Sequence, residues 1–206
     1  MVSSIVRWKN ATGMRDFTTI DEHVIKTLHG KNTGRWGLTC KVYRDNSRNN
    51  TGKLLYQISL AQQPRQLYCM VDGGVVVEVE RDVEAIFSRL KNLWVVRQSA
   101  TIEASTLNGP HGTSYDIGDF TLRVANILLG STYKGLLLEV EYRPCSSPDG
   151  ATQIIQDFVE SLIPPNAQIS MDTEYDYEKV GLSSAEFTIA HTGYQYMLLF
   201  RKDSLL

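Results

Sequence analysis

Carboxylates at alternate positions are the feature of this sequence that most resembles catalytic chemistry. Residues 139–143 read Glu-Val-Glu-Tyr-Arg, and Glu78 and Glu80 repeat the first part of that pattern. Side chains two residues apart on a β-strand point to the same face. Glu139 and Glu141 could therefore bind one metal ion while a neighbouring cation binds phosphate oxygens.

The pattern resembles the Glu-x-Glu-x-basic strand of the triphosphate-tunnel enzymes, in which inward carboxylates bind metal. Such a tunnel needs charged side chains directed inward from several strands at once. The opposite face of the same strand is apolar and consists of Leu136, Leu138, Val140 and Tyr142. Because an apolar face usually lies inside, we expect the carboxylates to face solvent. A phosphohydrolase that uses Glu139 and Glu141 is the alternative function.

Other catalytic patterns fail on their spacing. No Gly-x-Ser-x-Gly or Gly-x-Gly-x-x-Gly occurs, and no histidines pair at the i, i+4 spacing of a metal site. Residues 51–53 (Thr-Gly-Lys) resemble the end of a phosphate-binding loop, but Leu54 replaces the hydroxyl that would reach magnesium. We therefore predict no catalytic, cofactor-binding or metal-binding residues, and no enzyme.

The segments that would position these residues are mostly short runs of alternating polarity, which predict β-strands. Asp72, Gly73 and Gly74 lie between two of them and predict a tight hairpin turn. The predicted strands are 5–9, 36–44, 52–60, 67–71, 75–79, 95–104, 113–117, 120–128 and 135–142. We predict an α+β fold of mainly antiparallel strands, with a closed β-barrel of about eight or nine strands and flanking helices.

Four segments have helical periodicity instead. Thr19 and Glu22 form a capping-box pattern before the first, and Ser183 and Glu186 form one before the fourth. The third ends before Pro164. The clearest apolar stripe belongs to the second, which we expect to pack on the sheet: Val83, Ile86, Phe87, Leu90 and Leu93. No linker or repeat divides the chain, so we predict a single domain over residues 1–206.

Composition limits the class of protein. The chain has 206 residues, of which 42% are hydrophobic, enough for one substantial core. Its longest apolar runs have five residues, whereas a membrane-spanning helix needs about 20. The first residues lack the pattern of a secretory signal, and three widely spaced cysteines predict neither a disulfide framework nor a zinc cluster. These features indicate a cytosolic or nuclear protein.

The charge is unevenly distributed although its net value is only −2. Residues 1–53 carry +6 and the remainder carries −8. The cations of the first part are spread out and lack interleaved aromatic residues that would stack on bases. We interpret them as a solvated face and predict no specific nucleic-acid binding.

Several segments occurring in order resemble the family of Mediator subunit 20. They are residues 51–56, 90–94, 119–124, 133–142 and 194–197, so the resemblance extends from about residue 35 to the end. It implies a barrel that forms a heterodimer with the related barrel of subunit 18 and is tethered to the head module through subunit 8. It also implies a non-catalytic nuclear protein without a cofactor that helps regulate RNA polymerase II. Contacts with the polymerase or with TATA-binding protein would follow in some members.

Apolar residues on both faces of a strand suggest where a partner binds. A strand of this kind needs cover on both sides, and the barrel interior covers only one. A stable pairing of two barrels also needs a dry apolar centre. We therefore expect the outward residues Leu55, Val76, Leu129 and Leu137 to include part of the subunit 18 contact.

Overall fold

The computed structural model describes residues 1–46, 52–90, 93–102, 112–129, 132–148 and 150–205, with side chains for all of these except 98–102. Within these ranges, the strands are β1 (Val2–Trp8), β2 (Lys31–Trp36), β3 (Leu38–Asp45), β4 (Leu54–Leu60), β5 (Gln66–Val71), β6 (Val76–Glu80), β7 (Trp94–Ile102), β8 (Gly112–Ile117), β9 (Phe120–Leu129), β10 (Thr132–Tyr142) and β11 (Ile169–Met171). The α-helices are α1 (Met14–Lys26), α2 (Val83–Arg89), α3 (Thr152–Leu162) and α4 (Ile189–Lys202). None of them is long and apolar enough to span a membrane.

The strands form two antiparallel sheets, which confirms the predicted α+β class. The first sheet has the order β11-β1-β10-β9-β8-β2, and the second has the order β6-β5-β4-β3-β7. Gly37 alone separates β2 in the first sheet from β3 in the second. The end of predicted strand 95–104 lies outside the described residues.

The predicted closed barrel is not found, because no described ladder joins the two sheets. The physical reason is the position of α4. This helix contacts β1 of the first sheet and β4, β5 and β6 of the second, and ten of its fourteen residues are buried. Since a helix with its side chains is about 10 Å across, α4 holds the sheets apart on this side of the molecule. β7 and β9 approach each other elsewhere.

The first sheet is covered on its other face by α1 and α3. Ile20 and Val24 of α1 and Ile155 and Val159 of α3 are buried there. Phe158 stacks on Phe120 of β9 with ring centroids 4.1 Å apart. With helices on both faces, this sheet has little solvent-facing surface, which explains its continuous apolar runs.

The predicted hairpin is confirmed. The N–H of Gly74 donates a 2.7 Å hydrogen bond to the carbonyl of Val71, and Gly73 has φ +73°. Glycine suits this left-handed conformation because it has no Cβ. β5 and β6 pair directly on either side of the turn.

Both predicted capping boxes are wrong. Thr19 lies inside α1, where its hydroxyl donates to the carbonyl of Arg15 at 3.0 Å. The fourth helix begins five residues later than predicted, and His191 takes the place of the usual Glu or Gln: its Nδ1 accepts a 3.0 Å hydrogen bond from the N–H of Thr188. The buried ring also donates from Nε2 to the carbonyl of Ser183. Its burial lowers the pKa of His191.

The predicted packing of the second helix is only partly correct. None of its residues is buried, and Ile86 is 55% exposed. Phe87 stacks on Tyr43 of β3 with ring centroids 5.2 Å apart. Because α2 ends at Arg89, Leu90 and Leu93 lie beyond it and stay exposed. One row of the helix therefore contacts the sheet, and the rest of the apolar stripe does not.

Candidate functional site

Glu139 lies inside the molecule, contrary to the expectation that it faces solvent. It is 1% exposed, and its side chain points from β10 toward α4. Leu136, Leu138 and Val140 on the opposite face are also fully buried, where β10 packs against α3. The expectation failed because alternation shows which residues share a face but not how many faces are covered.

Glu139 has partners from three separate parts of the fold. Its Oε1 accepts from the guanidinium of Arg123, directly opposite on β9, and from Nε2 of Gln62 at 2.9 Å. Its Oε2 accepts a 2.5 Å hydrogen bond from the phenol of Tyr196 on α4. Arg123 also donates to Glu141 at 2.9 Å. The carboxylate of Glu139 on the first sheet is therefore hydrogen-bonded both to the segment after β4 and to helix α4.

The electrostatics of this carboxylate cluster (Gln62, Arg123, Glu139, Glu141 and Tyr196) follow from its burial. Burial raises the pKa of Glu139, although Arg123 and the Tyr196 hydroxyl oppose the shift. Burial and the neighbouring carboxylate raise the pKa of Tyr196 well above its usual value. Burial alone would lower the pKa of Arg123, but the two carboxylates raise it on balance. The arginine is therefore a permanent cation between two acids.

A cavity of about 210 Å³ lies beside the carboxylate cluster. Its lining includes one cationic side chain, Arg123, whose guanidinium is already paired with both carboxylates. A triphosphate carries several negative charges and needs several cations to hold it. In the described part of the chain, no three His, Cys, Asp or Glu side chains come together as metal ligands. The cluster is arranged to connect layers of the fold.

The second Glu-x-Glu pattern is separate from this cluster. Glu78 and Glu80 lie on β6 of the other sheet, and both are exposed. The structure therefore does not bring the two patterns together into one tunnel. The partners that matter to Glu139 are Gln62, Arg123 and Tyr196, and sequence reasoning missed all three because none of them forms a motif with Glu139.

The four proposed partner residues lie in two kinds of environment. Leu137 is fully buried in the main core, and Leu55 is 6% exposed in a small cluster with Tyr43 beneath α2. Val76 on β6 and Leu129 at the end of β9 are half-buried. Their role as partner contacts stays a prediction, and only Val76 and Leu129 offer accessible surface.

Several cations of the first part of the chain are engaged within the molecule. Arg7 and Lys9 pair with Asp203 at 2.8 and 3.0 Å, and Lys41 pairs with Glu84 at 2.8 Å. Because these side chains already form ion pairs within the molecule, less of their positive charge is available to bind a phosphate backbone.

Comparison with known sequences finds the same protein family through a family model and through relatives from several organisms. The sequence model of the family described as "TATA-binding related factor (TRF) of subunit 20 of Mediator complex" matches residues 1–201. Mediator of RNA polymerase II transcription subunit 20 from Schizosaccharomyces pombe is 30% identical over 157 residues, which cover 76% of this chain and 75% of the relative. The Homo sapiens subunit 20 is 24% identical, with 86% and 81% coverage, and Arabidopsis thaliana subunit 20b is 26% identical, with 84% and 80%.

Solved structures are more distant. The PH1819 protein from Pyrococcus horikoshii OT3 aligns over 84% of this chain and 94% of its own, with 10% identity and a TM-score of 0.46. HpAC1 from Hippeastrum, described as having a dominant triphosphatase activity, aligns over 88% and 96%, with 8% identity and a TM-score of 0.44. Similarity at this level decides neither fold nor chemistry.

Proposed function

Since the chain belongs to the Mediator subunit 20 family, it is a structural subunit of Mediator, and we propose that it enters the head module by pairing directly with subunit 18. The match over residues 1–201 carries this proposal. Further partners are subunit 8 and, at the periphery, RNA polymerase II or TATA-binding protein. The chain acts in the nucleus, where transcription complexes assemble.

Accessible apolar surface supports a protein partner. Val76 lies between Val75 and Val77, which are 52% and 46% exposed, and Leu129 follows Leu128, which is 40% exposed. Stable interfaces commonly bury apolar residues that are exposed in the isolated subunit. We place the subunit 18 contact at Val76 or Leu129 and remove Leu55 and Leu137, because the fold of the chain itself buries them.

Affinity purification from nuclear extract tests the proposal. Tagged chain should recover subunits 18 and 8 and the rest of the head module, identified by mass spectrometry. Coexpression with subunit 18 alone should give a one-to-one complex. Recovery of no Mediator subunit by a folded chain would contradict the proposed function.

The proposed role includes no triphosphate hydrolysis. The carboxylate of Glu139 already accepts hydrogen bonds from Tyr196 and Gln62. The positive charge of Arg123 is balanced by the carboxylates of Glu139 and Glu141. Purified protein should release no phosphate from triphosphates with Mg²⁺ or Mn²⁺ above the level of Glu139→Gln. Metal-dependent release that this substitution abolishes would restore the hydrolase.

We also propose that the chain is one folding unit. A single apolar cluster contains residues from Val2 on β1 to Leu205 after α4. Chemical unfolding should follow one transition when measured by tryptophan fluorescence and by circular dichroism. Two separated transitions would indicate two domains.

A further inference from the structure

The edge of the second sheet formed by β6 has unpaired backbone groups. The N–H of Arg81 donates to the carbonyl of Arg65 at 2.8 Å, which fixes the alternation of the ladder between β5 and β6. In an antiparallel ladder, every second residue pairs with the neighbouring strand and the residues between them point away. Val77 and Val79 therefore bond to β5, whereas Val76, Glu78 and Glu80 present their N–H and C=O groups outward.

Among the sheet edges built from described residues, β6 combines a regular register with partly exposed valines. β11 has only three residues, and β7 approaches β9 of the other sheet. β2 carries Lys31 and Arg35 and has a register shift between Asn32 and Gly34. Short length, charge and bulges are the usual devices that prevent pairing at an edge. β6 has no bulge, and its only charged residues, Glu78 and Glu80, alternate with valines that are partly exposed.

The two faces of β6 differ in chemistry. Val77 and Val79 lie on the face of Cys69 and Leu67, which is the face that α2 partly covers. Glu78 lies on the opposite face, across from Tyr68, and forms no ion pair with a described residue. Arg65 and Arg81 lie near Glu80, so the acidic character is centred on Glu78.

The side chains of a strand that pairs with β6 would lie alternately on both faces of the sheet. Residues opposite Val77 and Val79 would be apolar, and the residue opposite Glu78 would be basic, because directly opposed side chains contact each other. A second copy of this chain is a poor occupant, since pairing about Glu78 would oppose two carboxylates. Hydrogen bonds to the unpaired backbone groups of β6 would provide affinity for the incoming strand. The alternation of apolar and basic side chains in that strand would provide selectivity.

We propose that β6 is the docking edge for an extended segment of a neighbouring subunit in which basic and apolar residues alternate. This inference rests on the proposed role as an assembly subunit, and it specifies how one contact is made. The segment adds a sixth strand to the second sheet.

A peptide titration tests the edge directly. Two synthetic nine-residue peptides, one alternating Lys and Val and the other alternating Glu and Val, are added to ¹⁵N-labelled protein and followed by NMR. The basic peptide should shift the amide signals of residues 76, 78 and 80, and the acidic peptide should bind about tenfold more weakly. Glu78→Lys should abolish this preference. Shifts that avoid β6, or equal binding of both peptides, would overturn the proposal.

A proline substitution separates backbone pairing from charge. Glu78→Pro removes an outward N–H without breaking a bond to β5, which an edge strand tolerates. It should abolish binding of the basic peptide, whereas Glu78→Gln keeps the N–H and should only weaken it. Circular dichroism checks that both variants fold. Equal binding by a folded Glu78→Pro variant would eliminate strand pairing.

Purification from nuclear extract distinguishes this inference from the function on which it rests. If the wild type and Glu78→Pro recover Mediator subunits equally, strand pairing at β6 is wrong and the assembly role stands. If the wild type recovers none, the assembly role fails whatever the peptides do. If only Glu78→Pro loses partners, both are supported.

Discussion

The phenol of Tyr196 donates a 2.5 Å hydrogen bond to Oε2 of Glu139, joining the C-terminal helix to the centre of the first sheet. Both side chains are inaccessible to solvent. A buried carboxylate that loses a hydrogen-bond donor bears an uncompensated desolvation cost. This hydrogen bond therefore stabilises the packing of α4 on the first sheet, at the position where the Glu-x-Glu pattern suggested a metal site.

Tyr196→Phe should lower the free energy of unfolding by about 1–3 kcal/mol, because it leaves Oε2 of Glu139 without that donor. Tyr194→Phe is the matched control: Tyr194 is also buried on α4, and its hydroxyl makes no hydrogen bond with a described residue. It should cost less than about 0.5 kcal/mol. Urea unfolding at neutral pH measures both, and equal losses would show that the hydroxyl of Tyr196 is unimportant.

Asp203→Asn should destabilise the chain at neutral pH by about 2 kcal/mol, since the buried carboxylate of Asp203 forms ion pairs with Arg7 and Lys9. Burial alone would raise the pKa of Asp203, but these two cations lower it on balance. The stabilisation is therefore complete above about pH 4 and is lost as the pH falls through the lowered pKa. The stability difference between wild type and variant should be largest above about pH 4 and should shrink as the pH falls through the lowered pKa of Asp203; a constant difference would contradict this explanation.

Ile155→Ala on α3 should cost about 2–5 kcal/mol, because Ile155 is fully buried against the first sheet. The same change at Ile86 on α2 should cost less than about 1 kcal/mol, since that side chain is 55% exposed. Thermal unfolding compares the pair. A similar loss at both sites would show that α2 is packed more tightly than its exposure indicates.

Substitution by Asp should separate the four proposed partner residues into two groups. Leu137→Asp and Leu55→Asp should prevent folding, because each buries an unpaired charge. Val76→Asp and Leu129→Asp should fold with a normal circular dichroism spectrum and reduce copurification with subunit 18. If both of the latter bind subunit 18 normally, the interface lies elsewhere on the chain.

The strands of the fold could be predicted from sequence because alternation is a local property. Each of the nine predicted strands overlaps a strand of the described residues, although the end of predicted strand 95–104 lies outside them, and the Asp72–Gly74 turn connects β5 and β6 as expected. The sequence did not predict β2 or β11, and predicted strand 36–44 includes Gly37, where one residue takes the chain from one sheet to the other. A change of sheet leaves no periodic signal.

The carboxylate cluster could not be predicted for a different reason. Glu139 occupies the interior because Arg123, Gln62 and Tyr196 compensate its charge, and these residues are 16, 77 and 57 positions away in sequence. An isolated strand pattern assigns the carboxylate to solvent, which is the usual outcome when no partner is known. The helix that supplies Tyr196 also separates the sheets, so one element explains both why Tyr196 was missed and why no closed barrel is found among the described residues.

The order in which the chain leaves the ribosome sets the order in which this fold can be completed. β1 is synthesised first but lies between β10 and β11, so both of its neighbours appear only after most of the chain has been made. α4, which fills the space between the sheets, is synthesised after all of the described strands. Contacts this distant in sequence slow folding and leave an apolar strand unpaired during translation. The nascent chain should therefore depend on chaperones until α4 has been released.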